Sequence, residues 1–473
     1  MSHVESFDII VIGAGAGGLN IATFMNRVGF RVLLVDRSDS HIGGDCLNFG
    51  CVPSKALLSV ARSVSQGRHA KEYGFQFSGE VDWNAVKKSI VEKQSVFRNH
   101  ESAEWFRSLG ITVVLGEAKF ASRDTVIVNN VVYRGRRIVI ATGSRPKKLT
   151  VKGIELVKCV LNNENIFQSE YLPKRLLILG NGPIGVEIAQ ALQWLGSEVT
   201  LVGRGSQILE REDPKISNVL QERMELEGVK FLFRRRLLKF ASGSEAVFLG
   251  DDGVKESVPF DGIFVAIGRE LVLESLGLDL AGIDLGGDGN IRVNEYLQTT
   301  NSKVFLCGDV VGGPQFTHVA EMHAKLILRN FFSPIRKKFS LDLLSWVTYT
   351  NPEIATFGLS AEELTRRGIA YQVLEGDFSE DDRAITDGYR YGLYHLYVSP
   401  KRKILGGSMA APNAGELIQE FLTLQELGDP IDVLFRKTYP YPSATRINKR
   451  ISSVLFAEKL TPFVRRILRV LYS

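Results

Sequence analysis

The chain of 473 residues is long enough for two to four domains, and 44% hydrophobic residues, 23% charged residues and 45 glycines are the composition of a globular α/β enzyme. A net charge of +5, from 58 basic and 53 acidic residues, is too mild and too dispersed to mark a nucleic-acid partner. No apolar run approaches the ~18 residues of a membrane span, and the chain does not open on a basic segment followed by a long apolar one, so the expected location is cytoplasmic.

The first predicted elements lie in FDIIVIGAGAGGLNIATFMNRVGFRVLLVDR: an apolar strand, a glycine turn, an amphipathic helix and a second strand that ends on Asp36. Gly13, Gly15 and Gly18 form G-x-G-x-x-G between strand and helix. There the glycines allow a tight turn and bring the backbone close to a pyrophosphate at a helix N-terminus, while Asp36 stands where a carboxylate accepts from ribose hydroxyls. A merely glycine-rich turn does not require that whole ordered pattern.

Next comes GGDCLNFGCVPSKALL, residues 43 to 58, which holds Cys46 and Cys51 in a chain with only four cysteines. A structural disulfide is unexpected in so cysteine-poor a chain. The pair also lacks the further Cys or His that a zinc site wants, so no metal site is expected and redox chemistry is left.

The dinucleotide unit then repeats in KRLLILGNGPIGVEIAQALQWLGSEVTLVGR, with Gly180, Gly182 and Gly185 in the same frame. Twenty-three residues separate Gly13 from Asp36, and twenty-three separate Gly180 from Gly203. The second unit thus ends on Gly203-Arg204 where the first ends on an acid. A ribose 2′-hydroxyl favours the acid, whereas a 2′-phosphate favours a guanidinium, so the second site is expected to prefer NADPH, with NADH possible and Arg211 placed to assist. The competing reading makes Arg204 a solvated charge at a strand end. Two dinucleotide sites and a cysteine pair imply electrons moving from one nucleotide through another to sulfur. A flavin handles both hydride and thiol chemistry, which makes the first site one for FAD.

These motifs, with ATGSRP (141–146), AIGR (266–269), CGDV (307–310), QFTHVAEMHAKL (315–326), WVTYTNPEIATFGLS (346–360), DRAI (382–385) and APNAGELI (411–418), resemble the pyridine nucleotide–disulfide oxidoreductases over nearly the whole chain. Within that family, GCVPSK and EREDP (210–214) lean toward mercuric-reductase-like rather than dihydrolipoamide-dehydrogenase-like members. The resemblance implies an α/β fold of two Rossmann-like dinucleotide-binding domains and an α+β C-terminal dimerisation domain. The expected layout is an FAD-binding domain over 1–147, an NAD(P)-binding domain over 148–270, a return to the FAD-binding domain over 271–340, dimerisation over 341–453 and a tail over 454–473. It further implies a homodimer with Cys46 as the exposed thiol that meets substrate and Cys51 as the thiol against the flavin. Lys55, four residues past Cys51 on the same helix face, would pair with Glu187. Gly44, Thr142, Gly143 and Asp309 would join the FAD site, with Asp309 on the ribityl chain, and Glu187 and Gly268 would line the NAD(P) site. Cys159 and Cys307 read as small apolar residues.

The chain departs from the family at its end. Disulfide reductases of this family carry His-x-His-Pro-Thr-x-x-Glu, whose second His and Glu form an acid–base dyad. Here TYPYPSATRINKR puts Tyr441 at that His and Arg446 at the Glu. A phenol with a reference pKa near ~10 is a poor base at neutral pH. His318 and His323 lie in the QFTHVAEMHAKL segment and His41 near the cysteines, outside the family pattern. Mercuric reductases also carry a Tyr at about this position, but their C-terminal Cys pair is absent from RILRVLYS. The leading expectation is therefore an NAD(P)H-dependent flavoprotein passing electrons through Cys46 and Cys51 to a small-molecule acceptor such as a metal ion, quinone or small disulfide. The alternatives are an NAD-dependent dihydrolipoamide dehydrogenase and a redox or nucleotide sensor that keeps the fold.

The last element, KLTPFVRRILRVLYS, starts with Thr461 as N-cap and Pro462 at the first helical position. Phe463, Val464, Ile467, Leu468 and Leu471 share one face, opposite Arg465, Arg466 and Arg469. Such a helix packs on the dimer body or, over residues 461–472, contacts a membrane surface.

Overall fold

The computed structural model describes residues 4–271, 273–457 and 460–472. Residue 1, where the expected FAD-binding domain begins, and Lys459 and Ser473, the ends of the KLTPFVRRILRVLYS segment, lie outside them. The first sheet has strands Thr112–Leu115, Val32–Asp36, Glu5–Ile12 and Val131–Ile140 side by side and parallel, with Val304–Leu306 returning late in the chain to pair in parallel with Val131–Ile140. Ile9, Ile10 and Val11 are fully buried in succession, as a parallel strand covered on both faces requires. Helix Ala16–Arg27 buries Gly17, Gly18, Ile21, Ala22 and Met25 along one stripe.

The second sheet repeats the plan: Lys230–Leu232, Glu198–Val202, Arg175–Leu179, Gly262–Val265 and Val160–Leu161, all parallel. Its helix Pro183–Leu195 differs from its counterpart because ten of its thirteen residues are buried, Glu187 and Gln190 among them. The cause is a second packing surface: Leu57, Leu58 and Ala61 of helix Cys51–His69 share a core with Ile188 and Leu192. That packing lays the cysteine-bearing helix against the second dinucleotide unit. Strands Ser144–Pro146 and Arg269–Leu271 pair antiparallel where the chain crosses between the two units.

The C-terminal part is an antiparallel sheet in the order Ser345–Thr348, Glu353–Gly358, Ile404–Ala411, Leu393–Val398, Gln372–Asp377. Phe357, Phe378, Phe421, Ile447 and Ile451 lie in its core. The fold is thus the expected α/β pair of dinucleotide-binding units with an α+β C-terminal unit.

Candidate active site

Cys46 lies in the short helix Gly44–Asn48, and Cys51 opens helix Cys51–His69. Both are free thiols; the Cys46 thiol donates a hydrogen bond to the Cys51 sulfur, and Thr317 Oγ1 stands 3.5 Å from Cys51 Sγ. The Cys46 hydrogen bond does most to pull the Cys51 thiol down to about 6; burial opposes it, and Thr317 and the Lys55 ammonium add to it. Cys46 is driven far upward, first because its proton is held in that same bond and then by burial. One sulfur is therefore a thiolate at neutral pH and the other keeps its proton. As residues Cys51 is exposed and Cys46 half-buried, while both sulfurs are enclosed enough for burial to push each thiol upward.

Lys55 and Glu187 meet as expected, with Nζ 2.7 Å from Oε2. The Glu187 side chain is only 7% exposed, so it needs partners, and Tyr349 N supplies the second at 2.9 Å to Oε1. Lys55 Nζ also stands 4.7 Å from the centre of the Tyr349 ring, a cation–π contact. Burial alone would lower the Lys55 pKa; the Glu187 carboxylate outweighs it and holds the ammonium above its ordinary value.

The first glycine turn is sterically closed to side chains. Gly13 has φ +105°, where a Cβ would collide with the Ala141 carbonyl oxygen, and a Cβ on Gly18 would strike Gly13 O. A Cβ on Gly44 would stand 2.6 Å from Gly15 Cα, so these two glycines approach each other backbone to backbone. Asp36 reaches back from the second strand to accept from Ala14 N at 2.7 Å through Oδ2. Thr142 Oγ1 is buried without a hydrogen-bond partner, and beside it Gly143, at φ +71°, has open space where its Cβ would be. An orphaned hydroxyl next to open space is the fit expected of a bound polar ligand, so these residues suit the flavin nucleotide. Asp309 Oδ2 accepts from Ser144 Oγ at 2.6 Å and lies 3.9 Å from Arg269 Nε. Arg269 also reaches Asp45, next to Cys46, at 3.2 Å.

The second turn repeats the first: Gly180 at φ +117° would clash with Ala266 O, and Gly182 faces open space. Gly268, at φ +107°, likewise has no close neighbour but the Lys147 side chain at 3.8 Å. Arg204 is exposed at the strand end, and so is Arg211. A further arginine comes from outside the motif. Arg234, held at φ +53°, donates its N–H to Gly205 O at 2.8 Å, which pins it to the turn that carries Arg204. The Glu210 carboxylate packs against the same turn and accepts from Asn181 Nδ2 at 2.8 Å.

Tyr441 is 71% exposed, with the Arg446 guanidinium 4.7 Å over its ring. Arg446 Nη1 also pairs with Asp382 at 3.5 Å. Among the described residues no hydrogen bond or ring contact joins Tyr441 to Cys46 or Cys51 of the same chain. Among the described residues no histidine hydrogen-bonds either thiol: His41 Nδ1 bonds Ser38 Oγ at 2.7 Å, His318 stacks on Phe316, and His323 Nδ1 accepts from Gly308 N. Cys307 is buried against Gly17 as a small apolar residue, and Cys159 is half-buried.

Sequence reasoning missed Thr317, Tyr349, Arg269 and Arg234. The first three sit inside quoted motifs, QFTHVA, WVTYT and AIGR, and only the last, within FRRRLL, carries no motif signal.

Two dinucleotide turns beside a thiol pair in which one sulfur is held low and the other keeps its proton are the parts of a nucleotide-dependent disulfide oxidoreductase. Residues 7–324 match the family model "Pyridine nucleotide-disulphide oxidoreductase", and residues 344–450 match the dimerisation domain of the same family. The chain belongs to the pyridine nucleotide-disulphide oxidoreductase family. It is thus an FAD-dependent oxidoreductase with a nicotinamide nucleotide as substrate, and its dimerisation domain supports a homodimer. It is 30% identical to a mercuric reductase of Lysinibacillus sphaericus over 92% of this chain and 80% of that one. It is 32% identical to a dihydrolipoyl dehydrogenase of Thermus scotoductus over 93% and 95% of the two chains. The HOCl-induced flavoprotein disulfide reductase RclA of Escherichia coli shares the fold, with a TM-score of 0.83 at 24% identity over 94% of this chain and 99% of that one.

Proposed function

We propose that this protein oxidises NADPH and passes the electron pair, through FAD and the Cys46–Cys51 couple, to a small acceptor whose reduction needs thiolates more than a proton shuttle: a metal ion or a quinone before a small disulfide. The observation that carries the proposal is the pair itself, a Cys51 thiol held at about 6 by a donating Cys46, in a chain where Tyr441 and Arg446 occupy the places of the acid–base dyad.

The flavin, when bound, supplies the exchange between hydride and thiol chemistry. The protein residues do the rest. On reduction of a Cys46–Cys51 disulfide two electrons enter the S–S bond and one proton is taken up; Cys46 keeps that proton and Cys51 remains a thiolate. Lys55 stabilises this negative charge from the same helix, and Glu187 holds Lys55 in place. Cys46 is then the thiol that meets the acceptor and passes the electron pair on, re-forming the disulfide with Cys51. Preference for NADPH is supported by the exposed Arg204 and by Arg234, also exposed, whose backbone N–H is tied to the same turn.

Anaerobic oxidation of NADPH, measured with a panel of metal ions, quinones and disulfides, tests the proposal. Turnover with metal ions or quinones well above that with lipoamide or glutathione disulfide is expected. Faster turnover of lipoamide with NADH would instead establish the dihydrolipoamide dehydrogenase reading, and no steady turnover with any acceptor would establish a sensor.

A further inference from the structure

The basic residues of this chain are not evenly spread. From Arg446 to the end there are seven basic residues and one acid, which leaves 51 basic and 52 acidic residues in the preceding 445. The net positive charge of the protein is therefore a property of its C-terminal end. Arg446 and Arg450 are paired there with Asp382 and Glu380. Arg465, Arg466 and Arg469 are exposed and have no acidic partner among the described residues.

These three arginines sit on helix Pro462–Tyr472, which buries none of its residues in the chain. At 100° per residue they occupy one side together, while Phe463, Val464, Ile467, Leu468 and Leu471 occupy the other. Phe463 is 72% exposed, Leu471 77% and Leu468 48%. The helix is nonetheless secured locally. Thr461 Oγ1 accepts from Val464 N at 3.3 Å, and Thr461 O accepts from Arg465 N at 2.9 Å. A capped helix with a wide apolar face and an all-cationic opposite face, containing no acid, matches a surface that is apolar beneath and anionic above. The family's dimerisation segment ends at residue 450, before this helix begins.

We infer that residues 461–472 dock the enzyme on the surface of an anionic lipid bilayer, with Phe463, Ile467 and Leu471 at the headgroup–acyl boundary and the three arginines among the headgroups. The helix lies in the interface and does not span it, being eleven residues long. Each arginine is expected to raise partitioning about five-fold, so the three together contribute roughly a hundred-fold.

The test uses the full-length holoenzyme and co-sedimentation with vesicles of phosphatidylcholine alone or mixed with phosphatidylglycerol. Binding to the mixed vesicles only, weakened on going from about 0.1 M to about 0.5 M salt as screening shortens to a few ångströms, is expected. The triple change Arg465→Glu, Arg466→Glu, Arg469→Glu should reduce it about a hundred-fold, with NADPH oxidation in solution unchanged. Phe463→Trp should give a fluorescence blue shift on addition of mixed vesicles. Three outcomes overturn the inference: no binding to anionic vesicles; a Phe463→Trp spectrum already blue-shifted without lipid, which shows the face covered by protein; or a Leu468→Asp variant that becomes monomeric, which makes a second copy of the chain the occupant.

Discussion

Removing the Cys46 proton donor is the most direct perturbation of the site. In the reduced enzyme Cys51 is held at about 6 against an ordinary 9.0, and its largest cause is the Cys46 hydrogen bond, with burial pushing the other way. Cys46→Ala deletes the donor and leaves the burial, so Cys51 should return to 9 or above. At pH 7 that takes the thiolate fraction from about 90% to about 1%. The alkylation rate will not fall by the same ninety-fold, because a less acidic thiol gives a better nucleophile. With a Brønsted slope of ~0.4–0.5, three decades of acidity correspond to about 15–30-fold in intrinsic reactivity, which leaves a net loss of only about three- to six-fold. The midpoint of the pH–rate profile, not the rate at one pH, is therefore the informative quantity. Iodoacetamide labelling of the reduced protein between pH 4 and 10, quantified at the Cys51 peptide by mass spectrometry, should show a midpoint near 6 in the wild type and at least 9 in Cys46→Ala. Cys307 and Cys159 do not confuse the reading, since burial raises both thiols. A wild-type midpoint above 8, or one that Cys46→Ala does not move, refutes the reasoning.

Two-electron reduction of the flavin-loaded protein should produce a long-wavelength thiolate-to-flavin absorption that Cys51→Ser abolishes. Lys55→Met strands the buried Glu187 carboxylate and should cost about 2–3 kcal/mol in denaturant unfolding, below the 3–5 typical of a broken buried pair because Lys55 is about a third exposed; adding Glu187→Gln should recover most of it. Arg204→Glu and Arg234→Ala should each lower kcat/KM for NADPH about ten-fold while sparing NADH, and equal use of the two nucleotides by the wild type would count against both. Tyr441→His combined with Arg446→Glu should raise disulfide reduction more than either change alone, within the 10²–10⁴-fold a general acid–base group supplies; a wild type that already matches dedicated disulfide reductases would place the proton donor elsewhere.

What the sequence determined on its own was whatever lies in a contiguous segment with a fixed spacing. The two glycine turns, their strands and helices, the acid at Asp36 against Gly203-Arg204, and the capped helix after Thr461 are local patterns, set by backbone freedom at Gly13 and Gly180 and by side-chain periodicity. The Lys55–Glu187 pair was legible only through the family resemblance, because 132 residues separate its members. Tertiary structure alone decided what crosses between segments. The burial of Glu187 follows from helix Cys51–His69 packing on helix Pro183–Leu195, and the Thr317 hydroxyl, the Tyr349 ring and the Arg269 guanidinium reach the site from far along the chain. Arg234 comes to the Arg204 turn because strand Lys230–Leu232 pairs beside Glu198–Val202, a register no linear motif records. Acidity is likewise a three-dimensional property: spacing puts Cys46 and Cys51 near each other, but which sulfur keeps the proton depends on how the two helices orient it and on the groups that other segments bring alongside.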